Sequence, residues 1–251
     1  MIKKLFLLLF FLPALSLSQE KNLAEKLGFD PQAKLLMLHA DDIGVAHSVN
    51  VASFRAFESG AITSGSVMVP CPWFLEVVEF AKSNPDHDLG LHLTLTSEWK
   101  NYKWDGISSS SKIRSLINKQ GHFYIGNEGV KLNATYEDVK RELRAQVNYS
   151  FENGLIPTHL DTHMGTVRVR PEIFKAYFEI GQEFKIPVVV SKDYKAEVLS
   201  QNFDKSNIDA SQIIWVDKIY GKSNDSPIDL KSWENFYYGV VDDLKPGFNI
   251  L

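Results

Sequence analysis

Apolar and β-branched residues gather in short runs along this chain, at Leu35–Leu38, Ile62–Val69, Leu89–Leu95, Pro157–Leu160, Ile186–Val190 and Ile213–Val216. Runs of that length, bounded by turn-forming residues, predict strands buried on both faces. Between most of them the period becomes helical. Tyr136, Val139, Leu143, Val147 and Phe151 recur at spacings of three and four, with Thr135 placed to cap the start and Gly154 to stop the end. Pro171 opens a second helix, whose apolar stripe is Ile173, Phe174, Tyr177, Phe178 and Ile180. Val49 to Phe57, closed by Gly60, predicts a third helix, and Pro72 to Lys82 a fourth. Strand followed by helix, repeated, implies an α/β fold with parallel pairing and helices outside, either a (β/α) barrel or an open doubly wound sheet.

Three of the apolar runs carry side chains that a strand interior rarely holds without partners. Thr158-His159-Leu160-Asp161-Thr162-His163 sets two imidazoles and a carboxylate at alternate positions, hence on one face of a strand. Met37-Leu38-His39-Ala40-Asp41-Asp42 and Leu89-Gly90-Leu91-His92-Leu93-Thr94-Leu95 each deliver further metal-competent groups. Barrels collect such residues from several strands at one mouth, whereas open sheets use a single switch point, so a barrel is expected. Glu98 to Ala134 reads as an excursion over that mouth, in which Trp99, Tyr102, Trp104, Phe123 and Tyr124 either stack on sugar rings or pin the insertion to the body. Lys245-Pro246-Gly247-Phe248-Asn249-Ile250-Leu251 resembles the start of another strand at the last residue. The expectation is therefore a distorted or incomplete TIM-type barrel, truncated at the C-terminus, as a single domain over 19–251.

Lys3 and Lys4 precede an apolar run from Leu5 to Leu15, with Ser16 and Ser18 before Gln19, which predicts a signal peptide over residues 1–18 and export to the periplasm or medium. The run is short for a bilayer span, which needs roughly 20 residues, so no stable membrane insertion is expected after cleavage. Cys71 is the one cysteine, which excludes an intramolecular disulfide. Without Lys3 and Lys4, 25 basic residues face 31 acidic ones. That balance excludes the basic face that nucleic acid requires. Ser108–Ser111 is the one low-complexity tract and reads as a solvated loop. Oligomeric state is not written in the sequence.

Imidazole and carboxylate together suit one divalent first-row ion, and three protein ligands with an open position mark a catalytic site. Adjacent acids at a strand end can diverge, so Asp42 is assigned as ligand and Asp41 as the general base acting on water. The plainer reading is that Asp41-Asp42-Ile43-Gly44 only caps the helix near Ser48. His92 and His163 complete the ligand set, with His159 and Asp161 beside His163 to fix its tautomer. His159-x-Asp161 also begins the triad of non-haem iron oxygenases, but no histidine follows His163 to finish it. A Gly-x-Ser-x-Gly elbow is absent, Ser64-Gly65-Ser66 being the nearest approach. A metal-independent glycoside hydrolase would have to use Asp41 with Asp161.

Ala40-Asp41-Asp42-Ile43-Gly44, Gly90-Leu91-His92-Leu93-Thr94-Leu95-Thr96 and Thr158-His159-Leu160-Asp161-Thr162-His163, in this order, resemble the motifs of the YdjC-like carbohydrate deacetylases, which include chito-oligosaccharide deacetylases. The resemblance spans roughly residues 34–190. It implies a (β/α) barrel-like fold and removal of N-acetyl groups from amino sugars, with one divalent ion, zinc or magnesium, held by Asp42, His92 and His163, and Asp41 as base. Three departures stand out. Met164-Gly165 follows the third motif where the family usually has another histidine, and Ser191-Lys192-Asp193 stands where it often has an arginine. The family's C-terminal His-Pro motif, the expected proton donor, would fall beyond Leu251. A carbohydrate-binding barrel without catalysis is therefore the leading alternative from another class.

Overall fold

The four helices and most of the strands that the apolar periodicity predicts are present in a computed structural model that describes residues 21–194, 209–222 and 226–251. The predicted signal segment lies outside the described residues. A capped turn, α1 (Leu23–Lys26), precedes β1 (Lys34–Met37) and β2 (His39–Ile43). Then come α2 (His47–Glu58), β3 (Ser64–Val67), α3 (Phe74–Ser83) and β4 (Asp88–Leu93). After the excursion, which holds α4 (Asn127–Asn133), the chain forms α5 (Tyr136–Asn153), β5 (Leu160–Thr162), α6 (Pro171–Phe184) and β6 (Val188–Ser191). The last elements are β7 (Ile213–Val216), β8 (Lys218–Ile219), α7 (Leu230–Asp243) and β9 (Gly247–Ile250).

Helix ends follow local chemistry. The Thr135 hydroxyl accepts from the Asp138 amide at the start of α5, and Gly154 ends it at φ 92°, a left-handed conformation that costs glycine little. Pro171 is the first residue of α6, where its missing N–H is no loss. Val139, Leu143 and Val147 of α5 and Ile173, Tyr177 and Ile180 of α6 are fully buried, so each stripe faces the sheet.

Among the described residues every pairing between these strands is parallel. β2, β3, β4, β5, β6 and β7 lie side by side in one sheet, and β9 sits between β1 and β8 in another. The sheets share the chain: Leu38 alone separates β1 from β2, and Asp217 alone separates β7 from β8. The fifth strand falls later than the apolar run predicts. Pro157 has no amide to donate, and the ladder begins with the Thr158 amide on the Leu89 carbonyl at 3.0 Å.

The excursion is held to the body by buried polar contacts more than by its rings alone. Glu142, fully buried in α5, accepts from the amides of Ile107 and Ser108, both at 2.9 Å. Gln146, one turn on, clasps the Thr94 backbone at the end of β4 through both its amide oxygen and nitrogen. Trp104 and Phe123 are buried, and the Trp104 indole donates to the Thr96 carbonyl at 2.8 Å. Trp99 is the exception, with 43% of its surface exposed. No helix among the described residues is long and apolar enough to cross a membrane.

Packing at this density makes deletion of buried methylenes costly. Leu143→Ala should lower unfolding free energy by about 2–5 kcal/mol. Leu132→Ala, on the exposed side of α4, should change it by less than about 0.5 kcal/mol. Urea denaturation of both variants checks the contrast.

Candidate metal centre

The Asp-Asp pair sits on an irregularity of β2. Ala40 pairs with Gly65 and Ile43 with Val67, so three steps on one strand meet two on the other. Such a bulge bends its strand and re-aims side chains. Asp42 takes up the slack at φ 60°, in the left-handed region that aspartate tolerates better than most residues. The two carboxylates consequently diverge. Neither caps the next helix, as the plainer reading had it: α2 starts after Ala46 with no side-chain cap, and the turn is tied instead by the Gly44 amide donating to Asn50 Oδ1 at 2.7 Å.

Asp42, His92 and His163 converge. Asp42 Oδ1 is 3.0 Å from His163 Nδ1 and 3.4 Å from His92 Nε2, and donor atoms of all three lie within 4.8 Å of one another. Both imidazoles are buried, and Asp42 Oδ1 is itself buried without a hydrogen bond. Two imidazole nitrogens approach that oxygen without a well-formed hydrogen bond, and a cation among these three atoms would satisfy it. The donor set therefore fits a divalent ion.

The opposite nitrogens are held in place. His92 Nδ1 donates to Asp161 Oδ1 at 2.7 Å, a contact fixed by the register that sets His92 beside Asp161 across β4 and β5. His163 Nε2 lies 3.1 Å from both Glu98 oxygens. Each ring thus presents a defined nitrogen to the centre, as ligating histidines do. This corrects the expectation that Asp161 and His159 steady His163. Asp161 serves His92 and His39, whereas His159 turns away to Thr158 and Asp88. Sequence reasoning gives Glu98 no role and names His39 only within its run. His39 carried a signal, being two residues before Asp41 on a strand; Glu98 carried none.

Asp41 stands beside the centre with its side chain 61% exposed. His39 Nε2 is 3.3 Å from its Oδ1, and the Ser66 hydroxyl donates to the same oxygen at 3.4 Å. Burial works against a charged His92, yet Asp161, Asp41 and Asp42 carry it up to about 10. His39 is raised to about 9 by Asp161 and Asp41, again against its burial. Burial likewise opposes the ionised form of Asp161, but His92 and His39 hold it well below the usual carboxylate range. Burial pushes the Cys71 thiol up, which removes it as a nucleophile.

A cavity of about 360 Å³ opens beside the carboxylates. His39, Asp41, His92 and Asp161 line one end, and Arg168 and Tyr194 stand elsewhere on its wall, with the guanidinium 3.6 Å above the tyrosine ring. Gly165 makes room for that guanidinium, since a Cβ there would overlap it. The Met164-Gly165 step, both residues left-handed, is thus filled by an arginine from the next turn.

The family model described as YdjC-like protein matches residues 35–248. A carbohydrate deacetylase of Thermus thermophilus is 32% identical over 169 residues, covering 67% of this chain and 58% of its own length. One of Brevibacillus brevis is 33% identical over 153 residues, covering 61% and 58%. The chain thus spans less than two thirds of the length of these relatives. A solved structure from Enterococcus faecalis, whose description proposes cellobiose-phosphate cleavage, has a TM-score of 0.69 at 23% identity and covers 86% of this chain and 79% of that one. It shows a shared fold.

Since His92 holds a proton up to about 10, a cation must displace that proton from Nε2. Affinity for Zn²⁺ should therefore rise with pH between 6 and 8, by up to about tenfold per unit for each proton released. Calorimetry in buffers of different ionisation enthalpy measures both; a pH-independent affinity would contradict the ligand assignment.

Proposed function

The chain belongs to the YdjC-like protein family, and from that membership we propose that it is a metal-dependent carbohydrate N-deacetylase, hydrolysing the acetamide of an N-acetylated amino sugar. The observation that carries this reading is the buried, hydrogen-bond-free Asp42 Oδ1 set between His92 Nε2 and His163 Nδ1. A divalent ion held there, zinc or magnesium, polarises a carbonyl and lowers the pKa of water. Asp41, exposed beside it and steadied by His39 and Ser66, accepts the proton of the attacking water. Asp41 then carries a proton that the departing amine can take. The cavity supplies hydrogen-bond donors suited to a sugar, through Arg168, Tyr194 and Tyr220.

The glycoside hydrolase alternative requires Asp161 as an acid or nucleophile, and Asp161 is committed to His92 and His39 on both oxygens. For the fold, we read the two sheets as one distorted barrel. Continuity at Leu38 and Asp217 carries the ring from β2 round to β7 and back through β9. The domain runs from residue 19 to 251 with the insertion near 98–134, and the leader over 1–18 directs export.

Acetate release from N-acetylglucosamine oligomers, abolished by chelator, is the expected activity. Asp42→Ala should lose Zn²⁺ binding at this centre and turnover together, while Asp41→Asn should keep the ion and lose at least about a hundredfold in rate. Sugar binding without acetate release in the metal-loaded protein would leave the non-catalytic alternative standing.

A further inference from the structure

A second set of donors lies next to the first and is not used as ligands in that reaction. His39 and His159 face each other with ring centroids 5.5 Å apart, their side chains 5% and 7% exposed. A ring nitrogen of each and an oxygen of Asp161 lie within 4.8 Å of one another. In both rings Nδ1 already has a partner. His39 Nδ1 is 2.9 Å from Ser64 Oγ; His159 Nδ1 is 2.9 Å from Thr158 Oγ1 and 3.6 Å from Asp88 Oδ1. Asp88 is in turn bonded to the Thr158 hydroxyl. These are the outer contacts by which a ligating histidine is oriented, and they leave Nε2 of each ring for the interior.

Two further observations point the same way. Three oxygens crowd His39 Nε2, from Asp161 at 3.2 Å, Ser66 at 3.2 Å and Asp41 at 3.3 Å, yet that nitrogen has one proton to give. A multivalent cation satisfies such a convergence better than one N–H does. Gly90 lies against the Nε2 edge of His159, where any Cβ would overlap the ring, so the glycine clears the place that the imidazole occupies. All three residues line the cavity, which gives an ion its way in.

We propose that His39, His159 and Asp161 form a second divalent-cation site adjoining the Asp42–His92–His163 centre. Asp161 links the two, with Oδ1 on the His92 ring and Oδ2 facing His39. Two imidazoles and a carboxylate suit Zn²⁺ or Co²⁺, as they do at the first centre. Binding exchanges the proton on His39 Nε2 for the ion, and that proton leaves to solvent.

The test is Zn²⁺ titration of the chelator-treated full chain by calorimetry, with elemental analysis after gel filtration. Two equivalents are expected. His159→Gln should retain one, and His163→Gln should retain the other. Asp88→Asn removes no ligand, only an outer contact of His159, and should weaken one equivalent about tenfold to a hundredfold while leaving the other unchanged. With Co²⁺, the unmodified protein should show two visible absorption components and His159→Gln one. A single equivalent in the unmodified protein that persists in His159→Gln overturns the proposal, as do two equivalents surviving in His159→Gln. Should His159→Gln fail to fold, as judged by circular dichroism, affinities unchanged from the unmodified protein at both sites in Asp88→Asn would overturn it. Failure of the deacetylase centre looks different: the equivalent sensitive to His163 and Asp42 is then the one missing.

Discussion

A carboxylate set among the strands of a sheet is secure only if both of its oxygens are engaged, and Asp161 shows how this chain meets that condition. One oxygen takes the His92 N–H at 2.7 Å and the other faces His39 at 3.2 Å. Removing either partner would leave charge stranded in a poorly solvated place, at a cost of about 3–5 kcal/mol. The arrangement stands on sheet register. His92 and Asp161 are direct neighbours across β4 and β5, and a slip of one residue would send every side chain of the shorter strand to the opposite face. The backbone ladder and the polar centre therefore specify each other.

The insertion joins this economy at a distance. Glu98, just past β4, reaches His163, and the segment that carries it is fastened by buried polar groups of α5: Glu142 to the loop and Gln146 to the strand end. Trp104 packs near His163, ring centroids 6.4 Å apart, and its indole N–H is satisfied on the backbone of Thr96. Its rings chiefly seal and steady the wall; Trp99 alone remains open to a ligand among those with large exposed faces in that segment.

Much of this was legible beforehand, for identifiable reasons. Helix α5 was readable from cap to stop because its apolar stripe, Thr135 and Gly154 all agree. Asp42, His92 and His163 were readable as a group because metal-competent side chains at the ends of parallel strands have few other uses. What could not be read were contacts made sideways. Nothing in the local pattern around Asp161 tells which neighbour it serves, since that is decided by which strand lies beside it and in what register. Glu98 was invisible for the same reason, being an ordinary acidic loop residue until the excursion folds back. The division of strands between two sheets likewise depends on single residues, Leu38 and Asp217, that look unremarkable in sequence.

The bulge in β2 carries one implication for how such a protein can change. A regular ladder would be restored by deleting a single residue between Ala40 and Ile43, and the backbone would relax out of the left-handed turn at Asp42. The sheet would gain order at the loss of one of the two acids. Local comfort and chemistry are opposed at this spot, so drift toward a more ideal strand would quietly disarm the molecule while leaving its architecture intact.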